Sequence, residues 1–308
     1  MKLSIAKLTL AAGAFLLALC ASVASGNAAP VPAGAQWRAD CLSVPSKVLR
    51  RSVPYCILLP PSYTAEKTRR FPILYLLHGL GDNEQMLLRS GGFDMVQDLS
   101  ENRQIGDFLI VTPAGGTSFY INSRDGTRRY EDFLIQEFLP YIESHYRFRG
   151  GRASRAVGGI SMGGYGALHL AFHHPELFGS VSAHSAALIE TNSLPGVAIN
   201  GAPVPAGVRL LGDVFGSPLD RAFWERNSPL AFARTASLNG MKIYLDCGMQ
   251  DDYGFNVGAK ALDEELSARH IAHEFHLYPG GHSWDYFAAH LPASLQFESR
   301  AFGLTGKS

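Results

Sequence analysis

Along the chain, short and almost unbroken apolar runs alternate with longer stretches in which apolar residues return every three or four positions. The runs read as strands: Val53 to Leu59, Pro72 to Leu77, Phe108 to Val111, Ala156 to Gly159, Gly179 to Ala183 and Lys242 to Cys247, and His273 to Tyr278, which alternates, reads as a further strand. The periodic stretches read as helices: Tyr130 to His145, Met162 to His173, Phe255 to Arg269 and Trp284 to Ala301. Strands that are apolar at nearly every position need cover on both faces. The alternation therefore predicts an α/β fold, with a mostly parallel central sheet between two layers of helices. In such sheets ligands bind beyond the carboxyl ends of the strands. Thr191 to Val208, rich in Gly, Pro and Ala and without a period, is predicted to be a long loop or cap beside that edge.

The N-terminus departs from this pattern. Lys2 and Lys7 precede an apolar, Ala- and Leu-rich run from Leu8 to Ala24, and small residues follow to Ala29. This is the layout of a secretory signal peptide, read as residues 1–26 with cleavage between Ala24 and Ala29; the run is short for a membrane span. Leu17-Ala18-Leu19-Cys20 has the outline of a lipoprotein box, but the bulky Leu19 before the cysteine argues against lipidation. The rest of the chain, 30–305, has no linker or internal repeat and reads as one domain, secreted or periplasmic. Over the full chain 27 basic and 27 acidic residues cancel, which removes any general attraction to nucleic acid or an anionic membrane. Arg147, Arg149, Arg152 and Arg155 cluster between a helix and a strand and read as a solvated loop.

Of four cysteines, Cys20 leaves with the signal, and Cys247 falls in an apolar strand as a buried thiol. Cys41 and Cys56 flank an apparent N-terminal hairpin, where an oxidising compartment would allow them to pair; the pairing is left open.

The chemistry begins at Gly159-Ile160-Ser161-Met162-Gly163, a G-x-S-x-G motif between a strand and a helix. A nucleophile elbow needs that placement, with small residues around a serine on a sharp turn. Enzymes of this architecture carry an acid and then a histidine further along, each after a strand. Both follow here. Lys242 to Cys247 runs into Gly248-Met249-Gln250-Asp251-Asp252, and the strand ending at Tyr278 opens into Pro279-Gly280-Gly281-His282-Ser283-Trp284. Upstream, Pro72 to Leu77 ends in His78-Gly79-Leu80-Gly81, where an oxyanion loop belongs and where His78 reads as a positioning residue.

Leu58-Leu59-Pro60-Pro61-Ser62-Tyr63, Leu76-Leu77-His78-Gly79, Leu139-Pro140-Tyr141-Ile142-Glu143, Gly158 to Gly164 and Gly281-His282-Ser283-Trp284 together resemble the esterase D-like family. The likeness extends from about Ser43 to about Phe302. It implies the α/β-hydrolase fold and a serine carboxylesterase related to feruloyl and acetylxylan esterases, S-formylglutathione hydrolase and mycolyltransferases. It further implies Ser161 as nucleophile, His282 as base, Asp251 as the acid through the family's G-x-x-D turn, and the amides of Leu80 and Met162 as oxyanion hole. Asp252 remains the principal rival for the acid and Asp246 a distant one. Export argues against an S-formylglutathione hydrolase, which works inside the cell. The alternatives to hydrolysis are acyl transfer to a sugar hydroxyl and a non-catalytic relative that binds carbohydrate or a cell-envelope partner.

Phe119, Tyr120, Tyr165, Phe255 and Trp284 follow strand ends and are candidates to line an acyl or aromatic pocket, with core packing the competing reading. His169 and His173 stand four apart on a helix with His174 adjacent, a spacing that suits a metal. No acidic or thiol partner is assigned to them from the sequence, and histidines at a helix C-terminus also interact favourably with its dipole. No metal or cofactor is therefore expected, and the partner is a small-molecule or saccharide-linked ester.

Overall fold

The computed structural model describes residues 36–190 and 206–304. The expected signal peptide and most of the Gly/Pro/Ala-rich segment lie outside them. One eight-stranded sheet has the order β1-β2-β4-β3-β5-β6-β7-β8. Its strands are β1 (Arg38–Ser46), β2 (Arg51–Leu59), β3 (Ile73–Leu77), β4 (Leu109–Pro113), β5 (Arg155–Ile160), β6 (Ser180–His184), β7 (Lys242–Gly248) and β8 (Glu274–Tyr278). The β1–β2 hairpin and the β2–β4 pair are antiparallel, and every pairing from β4 to β8 is parallel. This is the α/β-hydrolase fold.

Both faces of the sheet are covered. Ile73, Tyr75 and Leu77 of β3 enter one core, while Leu74 and Leu76 enter another on the opposite side. The first core receives α6 (Met162–His173) and α10 (Phe255–Ala268), and the second receives α3 (Gly92–Glu101) and α11 (Trp284–Ala301). Two-sided burial explains why β3 shows no alternation in sequence. β1 shows none for the opposite reason: only Val44 and Ser46 of its nine residues are buried.

The helical stretch from Tyr130 is α4 (Tyr130–Phe133), a π-helical turn (Leu134–Phe138) and α5 (Leu139–His145). Pro140, just after the wide turn, has no N–H with which to continue the ladder. Further helices, unmarked by the sequence reading, are α1 (Pro61–Ala65), α2 (Met86–Arg89), α7 (Ala206–Phe215), α8 (Arg221–Asn227) and α9 (Pro229–Thr235). Ala206 to Val208, expected as the end of a loop, belong to α7.

Cys41 and Cys56 face one another across β1 and β2 and form a disulfide, and Cys247 is free and buried. The four arginines are not a solvated loop. Arg147 donates to the carbonyls of Tyr63 and Arg69, Arg149 to that of Phe302 and Arg152 to that of Pro175. Arg155 forms a two-pronged pair with Glu143 at 2.6 and 2.7 Å. Each guanidinium ties the β5 entry to a neighbouring element by binding oxygens that would otherwise need water.

Candidate active site

Ser161 sits between β5 and α6 with φ 57° and ψ −114°, a region that side chains avoid. The surroundings impose this turn. Its N–H donates to the His184 carbonyl at 2.9 Å, and its own carbonyl accepts from Tyr165 and Ala187 at 2.9 and 3.1 Å. The flanking glycines are steric requirements. A methyl on Gly159 would overlap the Gly163 carbonyl, and one on Gly163 would overlap the carbonyls of Leu77 and His78. Backbone strain held by packing is the usual condition of a reactive serine on such an elbow.

Three side chains from three strand ends form one line of hydrogen bonds. Ser161 Oγ is 2.9 Å from His282 Nε2, and His282 Nδ1 is 2.7 Å from Asp251 Oδ2. The other Asp251 oxygen accepts the N–H groups of Tyr253 and Phe255 at 3.0 and 3.2 Å, and the Cys247 thiol lies 3.7 Å from Oδ2. Burial works to raise the Asp251 carboxyl. The hydrogen bond and charge of His282, with the two backbone N–H groups, outweigh it and hold the carboxyl below its ordinary value. The tyrosine and phenylalanine also brace the imidazole edgewise, at 4.8 and 5.4 Å between ring centroids, and Phe287 does so at 5.2 Å.

Asp252 is placed differently: its Oδ2 accepts the His282 backbone N–H at 2.8 Å. Asp246 lies deeper, accepting from the Tyr286 hydroxyl at 2.9 Å and standing 2.7 Å from His184 Nδ1. His184 Nε2 is 2.7 Å from Ser294 Oγ, which completes a second Ser-His-Asp set. That set is sealed, with the His184 and Asp246 side chains 1% and 0% exposed. It joins β6 and β7 to α11 beneath the site and offers a substrate no access.

The loop after β3 runs beside Ser161: a methyl built on Gly79 would sit 3.5 Å from the Ser161 Cβ. His78 fixes this loop. Its Nδ1 is 2.8 Å from the Gly79 carbonyl and its Nε2 accepts the Gly115 N–H at 2.8 Å, so it is a neutral ring, and burial pushes its pKa down. The Tyr120 hydroxyl donates to the His78 carbonyl at 3.1 Å. Leu80 follows on the exposed side of the loop, and Met162 opens α6, whose first N–H groups have no acceptor within the helix.

The aromatic candidates divide. Tyr120 and Tyr165 are fully buried with their hydroxyls on the carbonyls of His78 and Asn227. Phe119 is buried edge-on against Tyr165 and Phe215. All three rings belong to the core that receives α6. Trp284 is half-buried and donates to the Ser90 carbonyl at 3.1 Å, tying α11 to the turn before α3. The sequence reading missed Tyr253 and Phe287; Tyr253, at 69% exposed, is the most open ring beside His282. Its place two residues after Asp251 was the available signal.

Fold and site thus define an α/β-hydrolase with a serine, a histidine and an aspartate aligned at the carboxyl edge of its sheet. The chain belongs to the esterase family described as "Putative esterase", whose model matches residues 46–297. It is 33% identical over 243 residues to Esterase Rv1288 of Mycobacterium tuberculosis, a match covering 73% of this chain and 51% of that protein. The chain therefore spans about half the length of that relative. It is 30% identical to the diacylglycerol acyltransferase/mycolyltransferase Ag85A of Mycobacterium leprae, over 71% of this chain and 72% of that one. Among solved structures, a ferulic acid esterase superposes with a TM-score of 0.73 at 27% identity, covering 87% of this chain and 99% of the other.

Proposed function

We propose that the protein is an exported serine carboxylesterase acting through an acyl-serine intermediate, with Ser161 as nucleophile, His282 as general base and acid, and Asp251 as the orienting carboxylate. The observation that carries this reading is the continuous line Ser161 Oγ, His282, Asp251, with contacts of 2.9 and 2.7 Å. A serine hydroxyl is a weak nucleophile until a base takes its proton during attack. In this reading His282 Nε2 takes it, and Asp251 fixes the Nδ1–H tautomer and stabilises the imidazolium. The backbone N–H groups of Met162 and Leu80 receive the oxyanion, each worth about 3 to 4 kcal/mol in the transition state. His282 then protonates the departing alkoxide, and water, activated by the same ring, releases the acid.

Export is supported by the basic-then-apolar N-terminus together with the Cys41–Cys56 disulfide, a bond of oxidising compartments. Among the described residues no helix is long and apolar enough to cross a membrane. Transfer to a sugar hydroxyl is the second reading, favoured by the 30% identity to a mycolyltransferase; it differs only in which hydroxyl accepts the acyl group.

The test is hydrolysis of p-nitrophenyl acetate, butyrate and octanoate and of methyl ferulate, with Ser161→Ala as blank and a sugar acceptor present in a parallel series. Turnover that disappears in the variant is expected, with free acid as product. An acylated sugar as main product would favour transfer, and wild-type rates equal to the blank on every ester would reject the esterase reading.

A further inference from the structure

At the far end of α6 from Ser161, Glu131 of α4 meets three histidines. Its Oε1 is 2.7 Å from His173 Nδ1 and 2.8 Å from His174 Nε2, and its Oε2 is 3.1 Å from His169 Nε2. The carboxylate is separated from these rings by about forty positions in sequence, so no local spacing pairs Glu131 with the histidines.

We propose that Glu131, His173 and His174 form a binding site for a divalent cation of the zinc type. The ligand atoms of the three residues all lie within 4.8 Å of one another. Two imidazole nitrogens and one carboxylate oxygen are a donor set that zinc accepts, with water in the fourth position. Ligand atoms around a tetrahedral zinc stand about 3.3 Å apart, given bonds of about 2.0 Å. The present 2.7 and 2.8 Å contacts have to open by roughly half an ångström, and His173, 46% exposed, has room to swing outward and leaves a route from solvent. Zinc would replace the hydrogens that now join the two rings to Oε1, each ring binding through the nitrogen it turns to the carboxylate and carrying its proton on the other nitrogen.

The surroundings match what a metal site needs outside its ligands. His169 is fully buried, with Nδ1 on the Asn227 carbonyl at 2.9 Å and Nε2 on the non-ligating Glu131 oxygen, so it orients the carboxylate. The remaining nitrogen of His174 faces Glu176 at 3.8 Å. Phe232 stacks on His173 and packs edgewise on His169. Hydrogen bonds from the three histidines converge on the two Glu131 oxygens, so both are already turned towards the imidazoles. The site joins α4 to the end of α6, about 18 Å along the helix from Ser161 at about 1.5 Å per residue. Its role is therefore to brace the fold, apart from ester chemistry.

The experiment titrates zinc chloride into tag-free, chelator-stripped full-length protein against a chromophoric competitor. One equivalent should bind to wild type. His173→Ala and His174→Ala should each weaken binding at least about hundredfold, and His169→Gln about ten- to hundredfold. Zinc should raise the Tm of wild type and leave that of His173→Ala unchanged, with hydrolysis of p-nitrophenyl acetate the same in both. If His174→Ala fails to fold, His173→Ala, at a half-exposed position, carries the comparison. Equal zinc binding by wild type and His173→Ala, or no stoichiometric binding by wild type, would overturn the proposal.

Discussion

Asp252 binds the main chain of His282 and not its ring: its Oδ2 accepts the His282 N–H at 2.8 Å, while the imidazole turns to Asp251. Adjacent carboxylates thus divide the work, one setting where the histidine loop lies and the other which way the ring points. Asp251→Asn should lower kcat by about 10⁴, the scale of losing the tautomer-setting carboxylate. Asp252→Asn keeps a hydrogen-bond acceptor at its amide oxygen and should cost about tenfold or less. Steady-state rates of the two variants on one small ester check this; the reverse ranking would exchange their roles.

Gly163 has no space for a side chain. A methyl there would overlap the Leu77 and His78 carbonyls, both backbone and unable to rotate away. Gly163→Ala should therefore destabilise the protein by about 3 kcal/mol or more through overpacking, and should displace the turn that holds Ser161. Urea unfolding and the rate of the folded fraction measure both effects. Native stability in this variant would show that the elbow is looser than the contacts imply.

Glu298 is wholly buried in α11 beside the Ser180 hydroxyl, and burial pushes its carboxyl from the usual 4.5 up to about 7 despite hydrogen bonds from Ser180 and Ser182. The folded state keeps this proton up to about pH 7, whereas the unfolded chain releases it near 4.5. Stability from the retained proton is complete below about pH 4.5 and is lost as pH rises through about 7, a difference of up to about 3 kcal/mol. Glu298→Gln has no charge to bury. Relative to wild type, it should gain stability between pH 5 and pH 8.5 by that order, read from urea midpoints at both values. A pH-independent difference between the two proteins would contradict it.

The parallel sheet was legible because β3, β5, β6 and β7 are buried along almost their whole length, and β3 and β5 carry almost nothing polar. Met162–His173 and Trp284–Ala301 were legible to the residue, one because the serine turn defines its start and the other because Ser283 caps it. Helices α2 and α3 were not, since they follow a glycine-rich loop and α2 spans only four residues. The choice between Asp251 and Asp252 was not legible from spacing alone, because both sit in one turn and only its curl decides which reaches the ring. The meeting of Glu131 with His169, His173 and His174 was invisible for a related reason: α4 and α6 are brought together by packing, over a distance that no local pattern records.

The central claim is that Ser161 is a nucleophile activated by His282, and covalent capture tests it most directly. Full-length protein treated with an alkyl fluorophosphonate should gain one phosphonyl group, located on the Ser161 peptide by mass spectrometry. The adduct should be absent in Ser161→Ala and form at least about a thousandfold more slowly in His282→Ala. No adduct on wild type, an adduct on another residue, or labelling undiminished without His282 would contradict the account.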